Sequence, residues 1–370
     1  MTSNTGALSG LKVLDAAGRD GAYAGKLFAD MGAEVLWFGE WPDAPDATAI
    51  FHNLGKRRIA ADLSTCAGIE AVLAHAAEAD ILIENFASGA IEALGYDRAE
   101  LQRRYPRLIW SRIVPFGSDG PYQNFKSDDI VNMAAGGMLT LAGYPDREPV
   151  LAFGNQSLII ASLYCAVGAL TAYYERLRSG VGQSVEVPIQ HAVATALENS
   201  TQFYDLQKTV RKRIGAGYAE AASGLFPCSD GLVFLMAGRL STVRGWTALV
   251  EWLNEANVEG AAELLEPRWQ TADWKARPEA ARRFEEIFTI FGRNKKKQDL
   301  YVEAQRRGIA LCPLNEIADV LNDPQLSSRD FFKTLNLGEM GELLLPGPPY
   351  RLSRTPAATA NLSKENVASV

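Results

Sequence analysis

The feature that most constrains the fold is an alternation of short apolar segments with helical segments through the first half of the chain. Residues 12–15 (KVLD) and 33–38 (AEVLWF) are strand-like, and the residues between them have the apolar periodicity of a helix that ends at Gly32. Residues 80–84 (DILIE) and 107–114 (RLIWSRIV) repeat the strand pattern, again separated by helical segments. Strands joined through helices run parallel, so the sequence predicts an α/β fold with a parallel sheet covered on both faces.

The sequence pattern changes near residue 200. Residues 219–238 contain two apolar runs joined at Ser229-Asp230-Gly231, which predicts a β-hairpin. Charge-rich helical segments occupy about residues 241–306, and short apolar runs return near Ile309. We therefore predict that residues 1–204 begin a large α/β domain, that residues 205–310 form a smaller inserted α+β domain, and that residues 311–370 return to the large domain.

The charge of the 370-residue chain argues against nucleic acid as a partner. Its formal net charge is −7 and its pI is near 5.3, so no overall positive field attracts phosphates. Three short basic runs, residues 56–58, 211–213 and 295–297, are predicted to be solvated helix ends or loops.

Neither a membrane nor secretion is indicated by the sequence. Residues 1–10 (MTSNTGALSG) lack the basic and apolar regions of a signal peptide. The apolar stretch of residues 158–174 is shorter than the roughly 20 residues that a membrane span needs, which favours a buried core helix. The expected location is the cytoplasm.

Cysteine and histidine give no sign of a metal site. The four cysteines, at positions 66, 165, 228 and 312, are dozens of residues apart, and the three histidines are also scattered. Such spacing fits neither a metal centre nor a disulfide framework, so we predict reduced, buried thiols and no metal.

A glycine-rich turn follows the first predicted strand. Gly18, Gly21 and Gly25 could let backbone N–H groups approach a phosphate at the start of a helix. Their spacing departs from G-x-G-x-x-G, and we see no acidic residue at the strand end where a ribose would be read. Tight packing of the helix on the strands is the alternative explanation for these glycines.

Segments along the whole chain resemble the class III CoA-transferase (CaiB/BaiF) family. The segments that carry the resemblance are residues 53–63 (NLGKRRIAADL), 79–89 (ADILIENFASG), 105–116 (YPRLIWSRIVPF), 178–187 (RSGVGQSVEV), 312–325 (CPLNEIADVLNDPQ) and 345–356 (LPGPPYRLSRTP). The resemblance implies a Rossmann-like large domain built from both chain ends, a smaller middle domain, and two chains interlocked in a dimer. It also implies coenzyme A and acyl-CoA as substrates, with active sites between the domains.

The family's chemistry requires an aspartate nucleophile that becomes first a mixed anhydride and then a thioester. Anchored on Gly168, the resemblance places Leu158 at that position, and no acidic residue occurs between Glu148 and Glu175. Leucine cannot attack a thioester. The family's racemase branch uses a histidine before an aspartate, and here that pair is Asp128-Asp129. These two carboxylates could perform acid/base work if one pKa were raised, or they could cap the following helix.

The resemblance gives a mixed prediction for the CoA pocket. Gly21, Asn85, Phe86 and Lys126 fall at positions that contact CoA, by the glycine turn or by the family pattern. Basic residues expected near Trp37 and Glu40, and at Ala93, are missing. Because phosphates need such cations, the sequence predicts a relaxed or abandoned CoA site in this chain.

Three functions remain open at this point. The first is the non-catalytic subunit of a heteromeric CoA-transferase, paired with a homologous catalytic subunit; the family includes two-subunit enzymes such as benzylsuccinate CoA-transferase, and this chain resembles a subunit lacking the aspartate. The second is a homodimeric acyl-CoA isomerase, lyase or racemase that uses Asp128 or Asp129. The third is a non-enzymatic protein that binds CoA esters.

Overall fold

The computed structural model describes residues 6–41, 46–215, 220–238, 243–336 and 341–357. The chain divides into two compact units, one spanning residues 1–140, 151–211 and 324–370, the other residues 141–150 and 212–323. The second unit therefore extends beyond the predicted 205–310 segment and includes ten residues from the first half of the chain.

A six-stranded parallel sheet forms the centre of the first unit. Its strands are β1 (Lys12–Ala16), β2 (Glu34–Phe38), β3 (Arg57–Ile59), β4 (Ile81–Glu84), β5 (Ile109–Val114) and β6 (Ser184–Pro188). They lie in the order β3-β2-β1-β4-β5-β6, the order of a doubly wound sheet in which the direction of winding reverses between β1 and β4. The predicted parallel sheet is confirmed. The short strand β3, which carries two arginines, was not predicted because its sequence lacks an apolar run.

Helices cover both faces of the sheet, as alternation of side chains along each strand requires. The helices of this part of the chain are α1 (Gly18–Asp30), α2 (Ala47–Asn53), α3 (Cys66–Leu73), α4 (Ala90–Ala93), α5 (Arg98–Arg104), α6 (Asp129–Ala135), α7 (Gln156–Ser179), α8 (Ile189–Thr195) and α9 (Glu198–Gln207), with short 3₁₀ turns at Ala76–Glu78 and Leu139–Leu141. Val13 of β1 packs in one apolar cluster with α1 and α7, whereas the next residue, Leu14, packs in the opposite cluster with α3.

The second unit has a core of its own. It contains the helices α10 (Val243–Glu255), α11 (Ala272–Lys275), α12 (Pro278–Gly292), α13 (Lys297–Arg307) and α14 (Ile317–Leu321), 3₁₀ turns at Ala261–Leu265 and Pro267–Gln270, and the strands β7 (Ser223–Cys228), β8 (Gly231–Met236) and β9 (Leu311–Pro313). The strands β7 and β8 form an antiparallel hairpin in which Cys228 pairs with Gly231, so the predicted hairpin turn is confirmed. Ala219, at the start of that predicted segment, lies outside the described residues.

The end of the described chain belongs to the first unit. Helix α15 (Pro324–Ser328) leads to an antiparallel pair, β10 (Phe332–Asn336) and β11 (Glu342–Pro346). Leu335 and Leu345 from this pair form a small apolar cluster with Ile50 and Leu54 of the α2 segment.

Helix α7 is long and apolar enough to span a membrane by length and composition. It lies against the sheet and α1, and 44% of its most apolar window is buried within the protein. The predicted core helix is thus only partly covered: Leu163, Val167 and Tyr174 are exposed.

Two sequence predictions about side-chain environment are wrong. Lys56, from a run expected to be solvated, is buried because it enters an ion pair with Asp15. Of the four cysteines, only Cys165 is buried, on the sheet-facing side of α7, whereas Cys66 and Cys312 are exposed and Cys228 is half-buried. Apolar flanking residues do not by themselves determine whether a thiol faces the core.

Candidate functional site

Leu158, at the predicted nucleophile position, lies in the first turn of α7. Its side chain is 5% exposed and belongs to the apolar cluster that joins the sheet to α1 and α7. The small cavity that it lines with Asn155 and Ser162 has a volume of about 20 Å³. A cavity of that size holds about one water molecule.

Asp129 reaches the start of α7 from the neighbouring helix. Its Oδ1 accepts hydrogen bonds from the Ser157 backbone N–H at 2.9 Å and from the Ser157 hydroxyl at 2.7 Å. Asn155, at the N-cap position of α7, makes no side-chain capping bond. Asp129 therefore supplies the negative charge that a helix N-terminus favours. Its second oxygen is buried and has no hydrogen-bond partner among the described residues.

Asp128 caps α6. Its side chain accepts the backbone N–H of Asp129 at 2.8 Å, and its Oδ1 lies 3.0 Å from Arg19 Nη2. The Asp129 N–H, followed by the Arg19 guanidinium, lowers the pKa of the Asp128 carboxyl below its usual value. The capping role considered from the sequence is confirmed for Asp128, with the helix beginning at Asp129.

The predicted CoA contacts Asn85 and Phe86 follow β4, which ends at the buried carboxylate of Glu84. Glu84 accepts hydrogen bonds from the Phe86 N–H at 2.5 Å, from Arg112 at 2.8 Å and, through the same oxygen as Arg112, from the Trp110 indole at 3.1 Å. The bond to the Phe86 N–H fixes the turn after β4, and the Phe86 side chain is buried in the apolar cluster on the α3 side of the sheet, so its predicted contact with CoA stays a prediction. Glu84 was not among the predicted site residues, although a charged residue that ends the apolar run of residues 80–84 is a visible signal.

Asn85 and Gly18 lie together at the carboxyl ends of β4 and β1. A Cβ added to Gly18 would lie 4.0 Å from the Asn85 amide, and that amide donates to Asp20 at 3.4 Å. This is the point where the winding of the sheet reverses, which is where open α/β sheets bind ligands. Asn85 thus lies beside Gly18 at this edge of the sheet, and its contact with CoA stays a prediction.

Gly21 has a packing role in the structure. A Cβ at this position would lie 2.4 Å from the Ala17 Cβ and 2.8 Å from Ile113 Cδ1, so only glycine lets α1 approach β5 this closely. This is the alternative explanation given for the glycine turn. Lys126 is exposed, with no ion pair among the residues that the structure describes. A CoA contact of either residue stays a prediction.

A cavity of about 510 Å³ opens beside this point, within the first unit. Its wall includes the turn at the start of α1, the residues after β2, and the α2 segment, with these side chains among others: Arg19, Trp37, Glu40, Trp41, Asp46, His52, Asn53, Asp62 and Asn155. Its volume lies in the range of small-molecule sites. No acidic residue stands at the end of β2, which is Phe38, but Glu40 lies two residues later in the cavity wall.

The charges around this cavity are unlike those of a phosphate site. Glu40, Asp46 and Asp62 line the cavity together with Arg19, which is within 4 Å of both Asp20 and Asp128. Burial, reinforced by Lys56 and Lys26, lowers the pKa of His52 to about 4, so this imidazole is neutral at pH 7. Phosphate groups need unpaired cations, and these side chains do not fit them.

A buried ion pair between Lys56 and Asp15 contacts the wall of the cavity. Lys56 Nζ lies 2.6 Å from Asp15 Oδ2, 2.7 Å from the Ala22 carbonyl oxygen and 3.0 Å from Asn53 Oδ1. Since Asn53 also lines the cavity, this pair connects β1 to the cavity wall. The sequence analysis did not identify it, because Asp15 and Lys56 are 41 positions apart. Within the described residues, no group of three or more His, Cys, Asp or Glu side chains could hold a metal ion.

Comparisons with known proteins agree with this architecture. A family model for CoA-transferase family III matches residues 8–363. The chain is 33% identical over 359 residues to the succinyl-CoA:(R)-benzylsuccinate CoA-transferase subunit BbsE of Thauera aromatica, covering 92% of this chain and 87% of that protein. It is 30% identical over 373 residues to the succinyl-CoA–L-malate CoA-transferase alpha subunit of Chloroflexus aurantiacus, covering 96% and 85%. A solved CaiB/BaiF family protein from Brucella suis matches the fold with a TM-score of 0.80 at 28% identity, over 98% of both chains.

The family model covers nearly the entire chain, and the sequence relatives and the solved structure also match over most of their own length. The chain belongs to CoA-transferase family III.

Proposed function

We propose that this chain is a subunit of a heteromeric class III CoA-transferase, and that a homologous partner supplies the nucleophilic aspartate. The complex would move CoA from a donor acyl-CoA to an acceptor carboxylic acid. The observation that carries the proposal is Leu158, which the family pattern places at the nucleophile position and which is buried beside a cavity of about 20 Å³. An aliphatic side chain cannot form an anhydride or a thioester, so in this proposal the chain's own site is silent.

The outer face of α7 supports a protein partner. Leu163, Val167, Tyr174 and Leu177 are each at least 45% exposed, although they lie on a helix whose other side packs in the core. A continuous exposed apolar surface marks an interaction site. We propose that a homologous chain covers it in an interlocked dimer. Two relatives are a benzylsuccinate CoA-transferase subunit and a malate CoA-transferase alpha subunit, which favours a multi-subunit enzyme.

Co-expression tests this proposal. The chain should form a 1:1 complex with a homologue that has aspartate at the position of Leu158, and that complex should transfer CoA, with succinyl-CoA as the first donor to examine. Replacing the partner's aspartate by asparagine should abolish transfer, whereas the chain alone should be inactive. Comparable transfer by the isolated chain would contradict the proposal. We also propose the cytoplasm as the location of the complex.

A homodimeric isomerase, lyase or racemase is the second candidate, because Asp129 keeps one buried oxygen without a described partner. Asp128 is a poor proton donor at neutral pH, since its pKa is lowered by the Asp129 N–H and by Arg19. Exchange of solvent deuterium into an acyl-CoA by the isolated chain would favour this candidate. Binding of an acyl-CoA without turnover, alone and with a homologue, would instead indicate a non-enzymatic CoA-ester binder.

A further inference from the structure

We propose that the 510 Å³ cavity beside α1 binds a nucleoside-like ligand, planar and rich in hydrogen-bond donors but without phosphate groups, in place of CoA. This inference rests on the proposed function for one point, that CoA chemistry takes place on the partner. It goes beyond that function because it assigns to this chain a ligand that, unlike CoA, carries no phosphate charge.

The position of the cavity is the first observation that favours a nucleoside-like ligand. It lies at the carboxyl edge of the parallel sheet, between the turn that starts α1 and the residues that follow β2. Doubly wound sheets bind nucleotides at this edge, and an acidic residue about 20 positions after the glycine turn accepts hydrogen bonds from ribose hydroxyls. Gly18 is at the turn and Glu40 occupies the place of the acidic residue.

The carboxylate oxygens in the cavity wall are the second observation, because they favour a ligand that donates hydrogen bonds. Asp46 uses one oxygen to cap α2 through the Ala49 N–H, and Asp62 uses one oxygen for the Ser64 N–H and hydroxyl. Among the described residues, the second oxygen of each carboxylate accepts no hydrogen bond and Glu40 has no ion pair. Such oxygens accept hydrogen bonds from hydroxyl or amino groups and repel phosphate oxygens.

The remaining polar and aromatic groups fit the same ligand class. Trp41 and Trp37 pack edge to face at 4.9 Å and form an aromatic wall. The Trp41 indole N–H is buried without an acceptor among the described residues, so it is available to an acceptor atom of a planar ring. Arg19 is already paired with Asp128 at 3.0 Å, which leaves the wall with an excess of negative charge.

Equilibrium binding with adenosine and with adenosine 3′,5′-bisphosphate tests the proposal. The wild-type full-length chain should bind one adenosine, and the bisphosphate at least tenfold more weakly. Glu40→Lys should shift the ratio of the two affinities toward the bisphosphate by at least tenfold. Glu34→Lys is the matched control, since Glu34 is an exposed carboxylate at the other end of β2, paired with Arg57 at 3.5 Å outside the cavity, and should leave the ratio unchanged.

Each opposite result overturns the inference: no adenosine binding, equal affinity for the bisphosphate in the wild type, or the same response to both lysine substitutions. If the chain purifies only with its partner, the difference between the Glu40 and Glu34 variants isolates this cavity, because the partner's sites are the same in both complexes. A complex that transfers CoA but shows no such difference would disprove the ligand and leave the proposed function standing. Adenosine binding without CoA transfer in any complex would support the ligand and contradict the proposed function.

Discussion

Asp129 and Ser157 connect two helices at the start of α7: one carboxylate oxygen accepts both the N–H and the hydroxyl of Ser157, at 2.9 and 2.7 Å. Because Ser157 immediately precedes Leu158, this contact fixes the backbone at the predicted nucleophile position. It also occupies one oxygen of the carboxylate in a structural role. The contact thus holds the start of α7, including the backbone next to Leu158, against α6.

Asp129→Ala should lower the free energy of unfolding by about 2 kcal/mol, since two hydrogen bonds to a charged acceptor are lost. Asp129→Asn keeps an accepting oxygen and should retain most of the stability, as measured by urea denaturation. The active complex should transfer CoA normally with the asparagine variant. Loss of activity with Asp129→Asn in a stable, correctly assembled complex would assign Asp129 a chemical role instead.

Leu158→Asp should not create a second working site. The new carboxylate would enter an apolar cluster, so we expect a loss of roughly 3 kcal/mol at pH 7 that decreases as the pH falls and the carboxyl takes up a proton. The 510 Å³ cavity beside α1 would still lack cations for the phosphate groups of CoA. Leu158→Met, which conserves volume, should cost less than about 1.5 kcal/mol. Full transferase activity from the isolated Leu158→Asp chain would show that the pocket is competent as it stands.

Lys56→Met should destabilise the protein by about 3–5 kcal/mol, because it leaves the fully buried Asp15 carboxylate without its partner. Changing both residues, as Asp15→Asn with Lys56→Met, should recover part of that loss. Arg57→Met is the control: its pair with Glu34 is exposed and 3.5 Å long, so its removal should cost less than about 1 kcal/mol. Equal losses from the Lys56 and Arg57 variants would argue against a buried pair.

Acid should destabilise the protein through His52. Burial lowers the pKa of His52 from 6.5 to about 4, so the unfolded chain takes up a proton between these values while the folded chain does not. The contribution of neutral His52 is complete above pH 6.5 and is lost as the pH falls toward 4. The loss should amount to no more than about 3 kcal/mol, reduced by solvent because the side chain is partly exposed.

The measurement for His52 is the free energy of unfolding at pH 7, 6, 5 and 4. His52→Gln should flatten the curve between pH 6.5 and 4, whereas His191→Gln, at an exposed position, should leave its slope unchanged. An identical slope in wild type and His52→Gln would mean that His52 titrates alike in the folded and unfolded chains.

The sequence by itself determined the parallel sheet, the hairpin and the family, because each is encoded in local patterns: apolar periodicity, turn residues such as Ser229-Asp230-Gly231, and short motifs. It also placed Trp37 and Glu40 together where cations were expected, and both line the cavity. Strand β3 escaped prediction because its three residues are stabilised by pairing with β2 and not by an apolar run of their own.

Only the tertiary structure decided which polar groups meet. Asp129 and Ser157 are 28 positions apart, and Asp15 and Lys56 are 41 apart, so no local pattern pairs them. From sequence alone, a charged residue is predicted to be exposed to solvent. Lys56 is buried because Asp15 lies at hydrogen-bond distance from it, and only the structure shows that partner. Leu158 was identified by its place in a motif, but its burial in the core and the cavity of about 20 Å³ beside it depend on how α7 packs on the sheet.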